Sequence, residues 1–153
     1  MINRRIFLAS LAGTVASTSK VLAVSAPDAD RHIRVVRSPD CGCCGAWITH
    51  LEENGFIVED VLSTDIEATK DQYAVPMQLR SCHTGIIAGY VIEGHVPATD
   101  IIKLLEERPE ADGLAVPGMP IGSPGMEMGD RTDAFDVILW SGGNTTVFSE
   151  YKG

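Results

Sequence analysis

Hydrophobic and polar positions change period several times along this chain, and each change marks an element. Ile33-Arg34-Val35-Val36 is a short apolar run closed by Ser38-Pro39-Asp40, which predicts a first strand and a turn. Cys44, Trp47, Ile48 and Leu51 recur at i, i+3, i+4 and i+7, one apolar helical face, and Asn54-Gly55 is its stop signal. Phe56 to Val61 predicts a second strand. Thr64-Asp65-Ile66-Glu67 has capping-box spacing and opens a second helix to about Tyr73, broken by Val75-Pro76. Thr84-Gly85-Ile86-Ile87 and Tyr90-Val91-Ile92-Glu93 flank Ala88-Gly89 as a hairpin. His95-Val96-Pro97 leads into a third helix with Ile101, Ile102, Leu104 and Leu105 on its buried side. A helix-free stretch from Gly113 to Gly129 is dense in Gly and Pro. Ala134 to Trp140 and Thr145 to Tyr151 then form a second hairpin around Ser141-Gly142-Gly143-Asn144.

From residue 33 to 108 this order is β-α-β-α-β-β-α, the order of a thioredoxin-like domain. The expected architecture is α/β and thioredoxin-like, with a Gly/Pro/Met-rich loop and a C-terminal β-hairpin. In that layout the start of the first helix and the loop before the third strand lie side by side at one end of the sheet. Trp47 belongs to the core on this reading, and His50, off the apolar face of its helix, to solvent.

The first residues alter the picture of where the domain works. Asn3-Arg4-Arg5-Ile6-Phe7-Leu8 has the paired arginines of a twin-arginine export signal, followed by a mildly apolar stretch from Ile6 to Val15 and small residues around Val21 to Ala26. That stretch is too short and too weakly apolar to span a membrane. Residues 1–26 read as the signal, 27–32 as a polar leader and 33–153 as one domain, with a periplasmic location. The first 26 residues carry three of the chain's twelve basic residues and none of its 21 acids, so nine bases face 21 acids in the remainder, a balance of −12. Such acidity repels nucleic acid and anionic lipid, and no membrane insertion of the mature chain is expected.

Candidate chemistry concentrates in the cysteines. Three of four fall in Cys41-Gly42-Cys43-Cys44 at the predicted start of the first helix; the fourth stands in Ser81-Cys82-His83-Thr84 before the third strand. Cys41 and Cys44 form a C-x-x-C pair where free helical N–H groups stabilise thiolates, which suits a redox site. Cys43 adds a third thiol and Cys82 a fourth, which together with His83 suit the coordination of a soft metal. Met119 and Met126 lie on a proline-stiffened loop with no periodicity for them to serve, so they extend the candidate ligand set; Met128 and His95 are weaker candidates. Three readings follow. The first is sequestration or buffering of Cu(I), several ions per chain, by Cys41, Cys43, Cys44, Cys82, His83, Met119 and Met126, with exchange to a periplasmic copper-handling protein. The second is a thiol or copper oxidoreductase, cycling Cu(I)/Cu(II) or disulfides. The third is a structural zinc domain, in which Cys43 and the methionines have no purpose.

At Cys41-Gly42-Cys43-Cys44, Arg80-Ser81-Cys82-His83-Thr84, Gly89 to Pro97 and Gly113 to Met126 the chain resembles the DUF411 family, small exported bacterial metal-binding proteins linked to copper resistance. The resemblance runs from about residue 33 to 151. It implies a thioredoxin-like fold, copper binding through the cysteines and a place in copper tolerance, and it leaves open whether a reaction is catalysed.

Overall fold

The computed structural model describes residues 31–153; the expected export signal and residues 27–30 of the leader lie outside the described residues. Strand β1 (His32–Arg37) leads to helix α1 (Gly42–Glu53), strand β2 (Ile57–Leu62) and helix α2 (Ile66–Gln72). A 3-10 turn (Met77–Leu79) precedes the hairpin β3 (His83–Ile87) and β4 (Tyr90–Glu93), followed by helix α3 (Ala98–Glu107). Strand β5 (Gly113–Ala115), a long loop, and the hairpin β6 (Phe135–Ser141) and β7 (Asn144–Tyr151) complete the chain. One mixed seven-stranded sheet results, in the order β2-β1-β3-β4-β5-β6-β7.

Most elements fall where the hydrophobic pattern places them. At α2 the cap differs by one residue: Asp65, rather than Thr64, accepts the Ala68 N–H at 3.1 Å, the ordinary role of a short carboxylate at a helix start. The β3–β4 turn places Ala88 and Gly89 at φ 48° and 90°, the doubly left-handed turn that matches the twist of a tight hairpin. Strand β5 stands inside the stretch read as helix-free irregular chain. It is only three residues long, yet it pairs parallel with β4 and antiparallel with β6, so it joins the last hairpin to the sheet.

Helices α1 and α3 cover one face of the sheet. Trp47, Leu51, Ile101 and Leu104 pack there against Ile33, Val35, Ile92 and Leu114. Val91 and Ala115, the strand neighbours of Ile92 and Leu114, point to the opposite face and pack with Val75, Leu79 and Trp140. The final hairpin is tied back to α3 by the buried Asp100, whose carboxylate accepts from Ser149 Oγ (2.5 Å) and Tyr151 OH (2.6 Å). Among the described residues no helix is long and apolar enough to cross a membrane.

Candidate metal centre

Ser38 turns the chain out of β1, with the Cys41 N–H donating to its carbonyl at 3.2 Å, and α1 begins immediately afterwards. A C-x-x-C pair across the first helical turn brings residues i and i+3 onto one side, and Cys41 and Cys44 are joined there as a disulfide. Cys44 is fully buried; Cys41 and Cys43 are half-buried at the surface. Cys43 Sγ lies 3.6 Å from Cys41 Sγ. From 38 residues further on, Cys82 meets this turn: its carbonyl faces Cys44 Sγ at 3.8 Å. All four sulfurs lie within 4.8 Å of one another and can share a metal once the disulfide is opened.

A second group shares Cys82. Its Sγ lies 3.3 Å from His83 Nδ1 and 3.1 Å from His95 Nε2, and these three ligand atoms are also within 4.8 Å of one another. His95 Nδ1 faces the Pro124 carbonyl at 2.8 Å. A carbonyl only accepts, so Nδ1 carries the proton and Nε2 presents a lone pair toward Cys82. His83 is wholly buried between the Trp47 ring (4.2 Å between centroids) and the His95 ring (5.0 Å). Its Nε2 is buried without a hydrogen-bond partner.

The electrostatics keep these groups neutral without a metal. Burial, reinforced by Cys43, pushes the Cys82 thiol up to about 11. Burial drives His83 well below its usual range, with His95 and Lys70 adding to the effect, and burial also lowers His95 against the opposing pull of the Pro124 carbonyl and Glu127. Neutral imidazoles are ligand-ready, whereas the thiol must give up its proton to an incoming metal.

The Gly/Pro/Met-rich loop folds over this end of the sheet. Gly118 accepts from Ser81 Oγ at 2.5 Å. Gly125, at φ 84°, lies so close to α1 that a Cβ there would sit 2.7 Å from Trp47 N and 2.9 Å from the Cys43 carbonyl oxygen. Within the loop Met119 is 53% exposed and Met126 half-buried, while Met128 is 62% exposed. The loop backbone is therefore seated on the cysteine end while the Met119 side chain stands in solvent.

Comparison with known proteins bears on this site. Residues 79–126 match the family described as "Protein of unknown function, DUF411". A solved structure named "Copper resistance protein copG- Form 1" is 54% identical, with 80% of this chain and 98% of that chain covered and a TM-score of 0.76. The chain belongs to the DUF411 family. A second structure, "Copper resistance protein copG- Form 2", is 53% identical, with 78% and 97% covered and the same TM-score. No curated protein matches the chain. The matched DUF411 segment contains Cys82, His83, His95, Met119 and Met126; the Cys41–Cys44 cluster precedes it.

His95, a weak candidate in the sequence, is thus brought against Cys82. The signal was its position at the end of the strand pairing with β3, where the hairpin returns the chain to the cysteine end. His50 requires a correction. It is half-buried rather than solvated, and its Nε2 accepts the Ala98 N–H at 3.1 Å. Pro97, the cap residue of α3, makes no side-chain cap bond, so His50 supplies the missing acceptor from α1. Burial lowers His50 below 6.5, with Glu127 and Glu53 opposing. A folded-state pKa below the unfolded one means that the unfolded chain binds the proton first. The contribution is therefore complete above 6.5 and lost as pH falls through the lower folded value. His83 and His95 act with the same sign, so unfolding free energy should decline as the solution is acidified below 6.5. His50→Ala should cost about 0.5–2 kcal/mol at neutral pH and flatten part of that decline, measured by urea melts across pH. An unchanged slope would remove His50 from this role.

Proposed function

We propose that this chain is an exported, periplasmic copper-binding protein that sequesters or buffers Cu(I) and so contributes to copper tolerance. The observation that carries the reading is the convergence of Cys41, Cys43, Cys44 and Cys82 within 4.8 Å. That is more soft-ligand capacity than one Cu(I) needs, and it suits several ions bridged by thiolates. The names of the copper resistance structures support the choice of metal. The order β1-α1-β2-α2-β3-β4-α3, with β2-β1-β3-β4 adjacent in the sheet, supports a thioredoxin-like reading of the first part of the domain. His83 and His95 complete the ligand set beside Cys82, with Met119 and Met126 as thioether donors from the overlying loop. The deciding experiment is purification from copper-fed cells, with elemental analysis and a count of free thiols. Zinc in place of copper, or a copper-free protein with all thiols reduced, would overturn the reading.

The disulfide supports a second reading, a thiol or copper oxidoreductase. Cys41 is half-buried and Cys44 buried, so an incoming thiolate reaches Cys41 and expels Cys44. With copper as the oxidant, two Cu(II) would take two electrons from the Cys41 and Cys44 thiols, leaving two Cu(I), the disulfide and two protons. Removing Cys43 separates the readings: a C-x-x-C exchanger retains turnover without it, whereas a multi-copper site does not retain its full copper content.

Replacing Met119 and Met126 together by leucine should weaken Cu(I) retention without unfolding the protein. The packing penalty should be about 1.5 kcal/mol or less, because leucine roughly conserves volume and Met119 is largely in solvent. A thioether–copper bond has no counterpart in leucine, so the change belongs in competition with a Cu(I) chelator, not in the metal-free melt. Unaltered Cu(I) affinity in the folded variant would leave the loop as a simple connection to the last hairpin.

A further inference from the structure

Behind the cysteines, on the sheet face that carries α2, lies a buried charged group that copper binding does not use directly. Lys70 of α2 and Glu93 of β4 are both fully buried and form an ion pair at 2.5 Å. Thr84, which faces Glu93 across the β3–β4 ladder, donates to the other carboxylate oxygen at 2.7 Å and accepts from Lys70 Nζ at 3.0 Å. The first carboxylate oxygen also accepts the Ser81 backbone N–H at 2.6 Å. Ion pairs in such surroundings are weak sources of stability, since well-packed apolar residues of similar volume often serve as well or better. An apolar pair, however, has nothing to offer the Ser81 N–H.

That N–H is the link to the site. Cys82 is flanked by Ser81, held by the Glu93 carboxylate, and by His83, whose carbonyl accepts the Gly94 N–H at 3.1 Å. Gly94 at φ 73° lets the two segments touch: a Cβ there would meet Ser81 Cβ and Oγ at 2.7 Å. His95 follows directly, so one short stretch, Glu93-Gly94-His95, both grips the chain on each side of Cys82 and delivers the imidazole that faces its sulfur. Two further holds lie on this segment: Ser81 Oγ donates to the Gly118 carbonyl of the overlying loop at 2.5 Å, and Arg80 donates to the Val75 carbonyl at 3.2 Å. The ion pairs of Arg80 with Glu67 and Asp71, both largely exposed, contribute little.

The geometry points to the Lys70–Glu93 pair as a positioning device that holds the Cys82 thiol against His95. Lys70 and Thr84 fix the carboxylate, the carboxylate fixes Ser81, and Ser81 sets where the Cys82 sulfur stands. The role of the pair in copper binding rests on the function proposed above; its effect on Cys82 is independent of any metal.

The test uses that independence. With the Cys41–Cys44 disulfide closed and Cys43→Ser in the background, Cys82 is the one free thiol, and its alkylation by iodoacetamide reports its freedom. Lys70→Met/Glu93→Leu removes the charges and the acceptor together; the variant should fold, with Cys82 labelled roughly tenfold faster as the segment opens. Lys70→Met/Glu93→Gln restores a carbonyl oxygen for Ser81 and should return most of the parent rate, which a general loss of stability would not do. In the chain with Cys43 restored and the disulfide reduced, Cu(I) affinity should drop about 10- to 100-fold in the Met/Leu pair. A folded Met/Leu variant with the parent labelling rate overturns the proposal. If that variant does not fold, Thr84→Val decides, since it removes only the bridging hydroxyl: faster labelling supports the device and the parent rate overturns it. Faster labelling with unchanged Cu(I) affinity supports the positioning of Cys82 while removing Cys82 from the copper ligands.

Discussion

Once its disulfide is reduced, the chain should take up more than one Cu(I), and Cys82→Ser should lower the affinity as strongly as Cys41→Ser. One Cu(I) needs two or three soft ligands, and four sulfurs lie within 4.8 Å here. Cys82 comes from a different segment yet touches both ligand groups, so its loss affects each of them. The disulfide-closed protein offers only Cys43 and Cys82 as thiols and should lose at least half of its copper capacity. Because Cys82 holds its proton up to about 11, binding must displace it, and apparent affinity should climb from about pH 6 to about pH 9. Anaerobic titration against a Cu(I) chelator measures each of these. A clean 1:1 content, or Cys82→Ser with full affinity, would overturn the shared four-sulfur site.

Trp47→Ala should be the most damaging single change in the core, costing about 3–5 kcal/mol in a denaturant melt. The ring is fully buried, its Nε1–H donates to the Val96 carbonyl at 2.8 Å, and both sides of that contact lie inside the main core. Truncation empties the space and strands the carbonyl. Trp47→Phe keeps most of the ring and loses mainly the hydrogen bond, so about 1–3 kcal/mol is expected. Because Trp47 lies against His83, the alanine variant should also bind Cu(I) more weakly in conditions where it remains folded. A loss below about 1 kcal/mol for Trp47→Ala would contradict the packing described here.

Legibility differed from residue to residue for physical reasons. Trp47 was readable as core because Cys44, Trp47, Ile48 and Leu51 repeat at helical spacing, and all four are buried. His50 was misread by the same rule: it is off that stripe, and nothing local announces that α3 begins with a proline lacking a side-chain cap. Strand β5 was missed because three residues carry no period; it exists because β4 and β6 supply hydrogen bonds on both sides. Met119 and Met126 stand out in the sequence, but whether a loop side chain turns toward the sulfurs or toward solvent is settled by packing that the sequence pattern does not contain.

Taken alone, the sequence determined the helices, the long strands, both hairpins and the cysteine-rich start of α1, because backbone periodicity, caps and turns act over a few residues. The tertiary structure decided which distant segments meet. It placed Cys82 against the Cys41–Cys44 turn, His95 against Cys82, His50 under α3 and Glu93 against Ser81. The contacts of Cys82, His95 and Glu93 depend on strand order and register, since a slip of one residue would send every side chain of a strand to the other face; that of His50 depends on α1 and α3 packing side by side. It also decided the chemical state of the site. Whether two cysteines of a Cys-x-Cys-Cys run stand as thiols or as a disulfide depends on which sulfurs the folded turn brings together, and here the fold pairs Cys41 with Cys44 and leaves Cys43 and Cys82 free.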